Sequence, residues 1–104
     1  RISVVDHTIR DIIYAAIDGI NEDRDENEFL PKSLDVVLAG ESALLNSLQI
    51  VTLIAEVEEG VEENYCESLS LLEGMTELLG QHPSVTVSIL LTHIAVLLEK
   101  SEYA

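Results

Sequence analysis

Apolar residues recur at three- and four-residue spacing in four separate segments of the chain. This spacing brings apolar side chains onto one face of an α-helix, and it predicts helices over residues 4–20, 47–64, 71–79 and 85–99. We therefore predict an all-α fold, a small four-helix bundle with three longer helices, a short third helix and a long loop after the first.

Each predicted helix has an apolar face that we expect to point into the core. In the first helix this face is Ile9, Ile12, Ile13, Ala16, Ile17 and Ile20, and in the second it is Ile50, Leu53, Ile54, Val57 and Val61. In the third it is Leu71, Leu72, Met75, Leu78 and Leu79, and in the last it is Val87, Leu90, Leu91, Ile94, Leu97 and Leu98.

Capping residues set the expected ends of these helices. Asn46 and Ser84 are suitable N-caps for the second and last helices, because their side-chain oxygens can accept a backbone N–H of the first turn. Gly80 is a suitable stop for the third helix. Gly60 weakens a helix by about 1 kcal/mol relative to alanine, so the second helix is expected to fray or end there.

The connecting segments carry weaker signals. Residues 21–28 form an acidic run with no apolar side chain, which predicts a solvated loop. Phe29 and Leu30 are expected to re-enter the core, and residues 34–38 are expected to form a short helical turn before a loop over residues 40–46. The alternating residues 84–88 are the one segment typical of a strand, but they continue into a helical pattern and are assigned to the last helix.

The acidic run is not a specific calcium loop. Asp23, Asp25 and Asn27 have the spacing of the first three ligands of such a loop. The position that needs glycine holds Glu28, however, and the twelfth position holds Leu34 where a bidentate glutamate belongs. We expect no metal site here beyond loose, nonspecific attraction of divalent ions.

Size and charge limit the partners of the chain. Its 104 residues predict one domain over residues 1–104, and the formal net charge is −15. Such a charge repels nucleic acid and anionic membranes and favours partner proteins with basic surfaces. The single cysteine, Cys66, cannot form an internal disulfide, and no apolar run has the length of a membrane span. A cytoplasmic, monomeric protein is expected.

No residue set indicates an enzyme. The segment from Gly40 through Ser42 to Leu44 matches half of a nucleophile elbow but lacks its second glycine. His7, His82 and His93 lack metal-ligand spacing. The acidic neighbours of Cys66 disfavour a reactive thiolate. We expect no catalytic and no metal-binding residues.

Ser47 stands at the predicted start of the second helix, where backbone N–H groups and the helix dipole favour a negative charge. Helix physics alone favours the simple interpretation, in which Ser47 only contributes to capping. The neighbouring Leu48 falls on the outer side of the helix, either as a partly covered first-turn residue or as an exposed contact for partners.

The segment from Gly40 to Glu58 resembles the attachment region of acyl carrier proteins. That family has a glycine-containing loop, then Asp-Ser-Leu, then an apolar helix rich in acidic residues, and here the tripeptide is Asn46-Ser47-Leu48. The predicted helix order, the small size and the acidity also agree with the family over most of the chain.

The resemblance implies a carrier whose Ser47 is esterified with 4′-phosphopantetheine, taken from coenzyme A by a phosphopantetheinyl transferase. The thiol of the arm would hold acyl groups as thioesters for acyl-transferring and condensing enzymes with basic patches. The implied docking residues are Asn46, Leu48, Glu56, Glu59 and Glu62. The cargo is open, since fatty-acid, polyketide, amino-acyl and specialised lipid pathways all use this module.

Asn46 departs from the family, which has aspartate at this position. Asparagine caps a helix about as well as aspartate, so the fold should be unaffected. The missing charge beside Ser47 leads to the hypothesis that modification is slower or needs a particular transferase. It also leaves an alternative, an unmodified protein of carrier fold that acts as a protein–protein interaction module.

Overall fold

The computed structural model describes the backbone of residues 4–102 and the side chains of residues 7–100. Four helices make up most of this part of the chain, in agreement with the sequence prediction. They are α1 (Val4–Asn21), α2 (Ser47–Tyr65), α3 (Leu71–Gln81) and α4 (Val87–Glu102). Helix α1 packs on α2 and α4, and the short α3 packs beside α2 and α4.

A two-stranded antiparallel sheet, which the sequence analysis missed, joins the middle of the chain to the start of α4. Strand β1 (Val37–Gly40) pairs with β2 (Ser84–Thr86). The prediction of a helical turn over residues 34–38 is therefore wrong for Val37 and Leu38. Beyond the paired strands, the backbone N–H groups of Val87 and Ser88 donate to the carbonyls of Val36 and Leu34, each at 3.0 Å.

A bulge in β1 explains why this strand lacks the alternating pattern that would have revealed it. Val37 pairs with Thr86 and Ala39 with Val85, so Leu38 is an extra residue on its strand. Leu38 and Ala39 are consequently both buried, at 0% and 1% exposure. The strand thus contributes two adjacent side chains to the helical core.

The same pairing moves the start of α4. The prediction that Ser84 caps a helix from residue 85 is wrong, because residues 84–86 are strand. Thr86 caps the helix instead: its Oγ1 accepts the backbone N–H of Ile89 at 3.2 Å. The Ser84 hydroxyl donates to the carbonyl of Glu41 at 2.7 Å and so fixes the loop that follows β1.

The core contains most of the predicted apolar faces, with corrections at their edges. Every predicted inward residue of α1 and α2 is buried except Ile12 and Ile50, which are partly buried. In α3 the prediction is wrong for Leu72 and Leu79, which are 48% and 40% exposed. In α4, Leu91 and Leu97 lie at the edge of the core.

Helix α2 does not end at Gly60. It continues to Tyr65, and Cys66 closes it in a left-handed conformation (φ 56°) with its N–H donating to Glu62. A Cβ on Gly60 would lie 2.7 Å from Cγ2 of Ile12. Gly60 therefore allows α1 and α2 to approach closely, which offsets its poor helix propensity.

The acidic segment after α1 is an exposed loop with a closed base. Asn21 is buried, and its side-chain amide exchanges two hydrogen bonds with the backbone of Leu30, at 2.8 and 3.0 Å. Residues Glu26–Glu28 form a 3-10 turn at the loop's surface. Leu30 is buried as predicted, whereas Phe29 is 49% exposed and does not enter the core.

Candidate functional site

Ser47 is the exposed first residue of α2, at the end of the loop formed by residues 41–46. Asn46 immediately before it has extended backbone angles (φ −82°, ψ 174°), so the helix begins sharply at Ser47. The hydroxyl therefore stands at the end of the helix where backbone N–H groups are not used within the helix. No acidic side chain lies in the first turn of α2.

A reciprocal capping box holds this helix start. The Asn46 Oδ1 accepts the backbone N–H of Gln49 at 2.8 Å, and the Gln49 Oε1 accepts the backbone N–H of Asn46 at 3.0 Å. The predicted N-cap role of Asn46 is confirmed, and Gln49 is its partner. The two side chains flank Ser47 and Leu48 and fix the backbone on both sides of them.

Backbone hydrogen bonds and a buried leucine anchor the loop before Ser47. Gly40, with φ +90°, turns the chain out of β1, and the Glu41 N–H donates to the Pro83 carbonyl at 2.9 Å. The Leu44 N–H donates to the Val37 carbonyl at 3.4 Å, which folds the loop back onto the strand. Leu45 is buried at 6% exposure and fixes the loop to the core.

Exposed apolar residues precede and follow the serine in sequence. Leu48 is 75% exposed, so it is not the partly covered first-turn residue of one interpretation, and its role as a contact for partners stays a prediction. Leu44 and Val51 are 53% and 46% exposed. These residues flank Ser47 in sequence, and Leu48 and Val51 lie on the first turns of α2, so the start of this helix carries exposed apolar side chains.

The three predicted docking glutamates are all exposed on α2, but they do not share one direction. Glu59 and Glu62 lie on the outward side of the helix, on the same side as Leu48. Glu56 is roughly 120° around the helix from Glu62. Its carboxylate lies against α1, with Oε2 2.8 Å from where a Cβ on Gly19 would be.

An acidic groove of about 560 Å³ runs between α1 and α2. Glu56, Glu59 and Glu63 line it from α2 and Asp11 lines it from α1. Its floor is made of small or apolar residues that include Ala16 and Gly60. Glu59 borders both this groove and the outward face, so the negative surface of α2 is broader than the sequence analysis expected.

Arg24 is the residue of this region that the sequence analysis missed. It lies in the acidic loop, yet its guanidinium donates to the carbonyl of Leu44 at 2.9 Å and to Oε1 of Gln49 at 3.1 Å. A third hydrogen bond joins it to the carbonyl of Glu28 at 3.1 Å. The sequence holds one signal for this residue, a basic side chain within an acidic run. Leu44 and Gln49, to which Arg24 donates, lie 20 and 25 residues further along the chain.

The remaining chemical candidates do not come together. Ser42 is exposed with φ 64°, His82 caps α3 through its backbone, and Cys66 is exposed at the end of α2. His93 packs against Gly74, and its buried Nε2 has no hydrogen-bond partner. Within residues 7–100, no group of three histidine, cysteine, aspartate or glutamate side chains has the geometry to hold a metal ion.

Comparison with known proteins yields no relative. No protein-family model, no curated protein and no solved structure matches the chain significantly. Among the described helices, none has both the length and the apolar character needed to cross a membrane.

Proposed function

We propose that this chain is an acyl carrier protein and that Ser47 is the attachment point of a 4′-phosphopantetheine arm. The observation that carries the proposal is the exposure of Ser47 as the first residue of a firmly capped, acidic helix in a small four-helix domain. The arm would supply a thiol that holds acyl groups as thioesters. The chain itself has no catalytic role in this proposal.

The surroundings of Ser47 suit an attached phosphodiester. The first-turn N–H groups of α2 and the helix dipole favour a negative charge at this point. The absence of an acidic side chain from the first turn removes the nearest source of repulsion. The capping box uses the N–H of Gln49, and the earlier N–H groups of the turn lie beside the serine.

The charge distribution suits delivery to basic partner enzymes. Glu59 and Glu62 share the outward side of α2 with Leu48, which gives an apolar contact beside two carboxylates. A net charge of −15 steers the chain toward basic surfaces and away from nucleic acid. Glu56 then acts at the margin of this surface, because its carboxylate is turned toward α1.

Asn46 places a neutral side chain immediately before Ser47. It makes the capping bond that an aspartate would make, so the position of Ser47 is kept without the carboxylate. We infer that the transferase acting on this chain tolerates a neutral residue before the serine, and that transferases which depend on the carboxylate act slowly.

The test is incubation of the purified protein with coenzyme A and a panel of phosphopantetheinyl transferases, followed by intact mass measurement. Wild type is expected to gain one phosphopantetheine group, and Ser47→Ala is expected to gain none. Ser42→Ala is the matched control, because Ser42 is an exposed serine of the loop that leads to Ser47, and this variant should be modified like wild type. A wild-type protein that no transferase modifies contradicts the proposal.

A second candidate, an unmodified interaction module of carrier fold, is favoured by one observation. Asn46 replaces the carboxylate, while the apolar residues Leu44 and Leu48 remain exposed for contact. The Ser47→Ala variant separates the two functions in the native host. A pure interaction module keeps its biological activity without the hydroxyl, whereas a carrier loses it.

A further inference from the structure

The side chain of Arg24 links the acidic loop after α1 to the segments on both sides of Ser47. The loop is closed at its base, where the Asn21 amide pairs with the backbone of Leu30. From its exposed part, Arg24 reaches the carbonyl of Leu44 and the side chain of Gln49. The two segments that precede and follow Ser47 are thereby joined to a third segment more than twenty residues earlier.

The contacts of Arg24 are hydrogen bonds to neutral acceptors. Two of its acceptors are the backbone carbonyls of Glu28 and Leu44, and the third is the amide oxygen of Gln49. Neither salt bridge found among the described side chains includes Arg24. Although Arg24 lies in an acidic segment, its geometry is that of a multi-point donor that holds backbone in place.

Gln49 is the central member of this arrangement. Its Oε1 accepts both the backbone N–H of Asn46, at 3.0 Å, and the guanidinium of Arg24, at 3.1 Å. The guanidinium fixes the orientation of the Gln49 amide, and the amide in turn fixes the backbone immediately before Ser47. Arg24 also holds the Leu44 carbonyl, three residues before the serine.

We propose that Arg24 is a positioning residue for Ser47: through Leu44 and Gln49 it holds the start of α2 in the geometry in which the hydroxyl is presented to a phosphopantetheinyl transferase. This inference rests on the proposed function. In this proposal the acidic loop stabilises the attachment site. A transferase is expected to act on the form in which Arg24 is bonded to Leu44 and Gln49, because a reacting hydroxyl must be held close to its near-attack geometry.

The test compares Arg24→Ala, Arg24→Lys and Lys32→Ala. Lys32→Ala is a matched control because it removes the same charge from a surface ion pair with Asp18, at 3.4 Å, that includes neither Leu44 nor Gln49. Two experiments are done on each variant: amide hydrogen exchange of Asn46 and Gln49 in the unmodified protein, and steady-state kinetics that give kcat and KM for transfer of phosphopantetheine from coenzyme A. Exchange of Ile94 in α4 serves as the internal reference for global stability.

Arg24→Ala is expected to speed exchange at Asn46 and Gln49 by about tenfold relative to Ile94, the effect of losing one well-formed hydrogen bond to the cap. It should lower kcat for transfer by about tenfold and leave KM within about twofold, because the docking surface is unchanged. Arg24→Lys should have less than half of the wild-type kcat, since an ammonium lacks the planar set of N–H donors of a guanidinium. Lys32→Ala should match wild type in both measurements.

Three results overturn the inference while leaving the proposed function intact: unchanged exchange at Asn46 and Gln49 in Arg24→Ala, full recovery by lysine, or an equal loss in Lys32→Ala. Either of the last two results would mean that Arg24 acts only through its positive charge and not through its hydrogen bonds to Leu44 and Gln49. A wild-type protein that no transferase modifies is a different outcome. It overturns the proposed function and, with it, the role of Arg24 in presenting Ser47 to a transferase, even if exchange at Asn46 and Gln49 is faster in Arg24→Ala.

Discussion

The carboxylate of Glu58 on α2 accepts a hydrogen bond from the backbone N–H of Leu71, at 2.7 Å. Leu71 is the first residue of α3, and the preceding Ser70 makes no capping bond with its side chain. A residue of one helix thus caps the next, and a carboxylate there also complements the helix dipole. The short third helix depends on α2 for its start.

Glu58→Ala is expected to lower the free energy of unfolding by about 1–2 kcal/mol, the usual effect of removing a helix cap. Glu59→Ala is the control: it removes the same charge from an exposed neighbour and should change stability by no more than about 0.5 kcal/mol. Urea unfolding measures both. Equal effects of the two variants would mean that the bond to Leu71 contributes no stability.

Gly40 is expected to tolerate no side chain. Its φ of +90° disfavours other residues, and a Cβ there would meet the Pro83 carbonyl and lie 2.9 Å from Cα of Ser84. Gly40→Ala should cost about 3 kcal/mol and disturb the pairing of β1 with β2. Gly80→Ala, where a Cβ meets nothing within 4 Å, should be neutral or stabilise by up to about 1 kcal/mol.

Thermal unfolding of these two glycine variants tests the sheet directly. A Gly40→Ala protein as stable as Gly80→Ala would contradict the close packing of the β1 turn on Pro83. Amide exchange at Glu41, whose N–H donates to Pro83, gives a local measure in the same samples.

Two substitutions of Asn46 distinguish the effect of its capping hydrogen bond from the effect of a negative charge at the same position. Asn46→Ala removes the acceptor for the Gln49 N–H and should cost about 1 kcal/mol in stability. Asn46→Asp keeps the acceptor and adds a negative charge at the helix start, so stability should rise by up to about 0.5 kcal/mol. The same aspartate should speed modification of Ser47 by transferases that depend on the carboxylate.

Unfolding and transfer assays on the two Asn46 variants give independent results. If Asn46→Ala is as stable as wild type, the capping box does not hold the start of α2. If Asn46→Asp leaves the transfer rate unchanged with every transferase, the transferases do not recognise the charge of the residue before the serine.

The outward charges of α2 should govern the encounter with a basic partner. The double variant Glu59→Gln and Glu62→Gln is expected to slow association with a phosphopantetheinyl transferase several-fold at low salt. The difference should disappear at high ionic strength, where surface charges are screened. Stopped-flow association at several salt concentrations measures this effect.

Glu73→Gln with Glu99→Gln is the control for net charge, because both residues are exposed and lie on α3 and α4. This control pair should associate nearly as fast as wild type. If both double variants slow association equally, total charge governs the encounter and α2 is not the docking face.

The helices were predictable because their signals are local. Stripes at three- and four-residue spacing located α1, α2 and α3 to within two residues of their ends. Ser47 was likewise located by a nearby signal, the N-cap Asn46. The error at Gly60 arose because its benefit, the close approach of Ile12 on α1, depends on another helix.

The parts that sequence reasoning missed depend on distant partners. Strand β1 has four residues, and its pairing residues lie more than 40 positions later, so no short-range pattern reveals it. The bulge at Leu38 also removed the alternation that identifies a strand. Arg24 was hidden for the same reason, because its partners Leu44 and Gln49 belong to another segment.

The intact mass of the protein purified from its native host tests the central proposal most directly. The carrier function predicts a protein heavier by one phosphopantetheine group, with or without an acyl group, and peptide mapping should locate the addition on Ser47. An unmodified mass, or an addition on any other residue, would contradict the assignment of Ser47 as the attachment point.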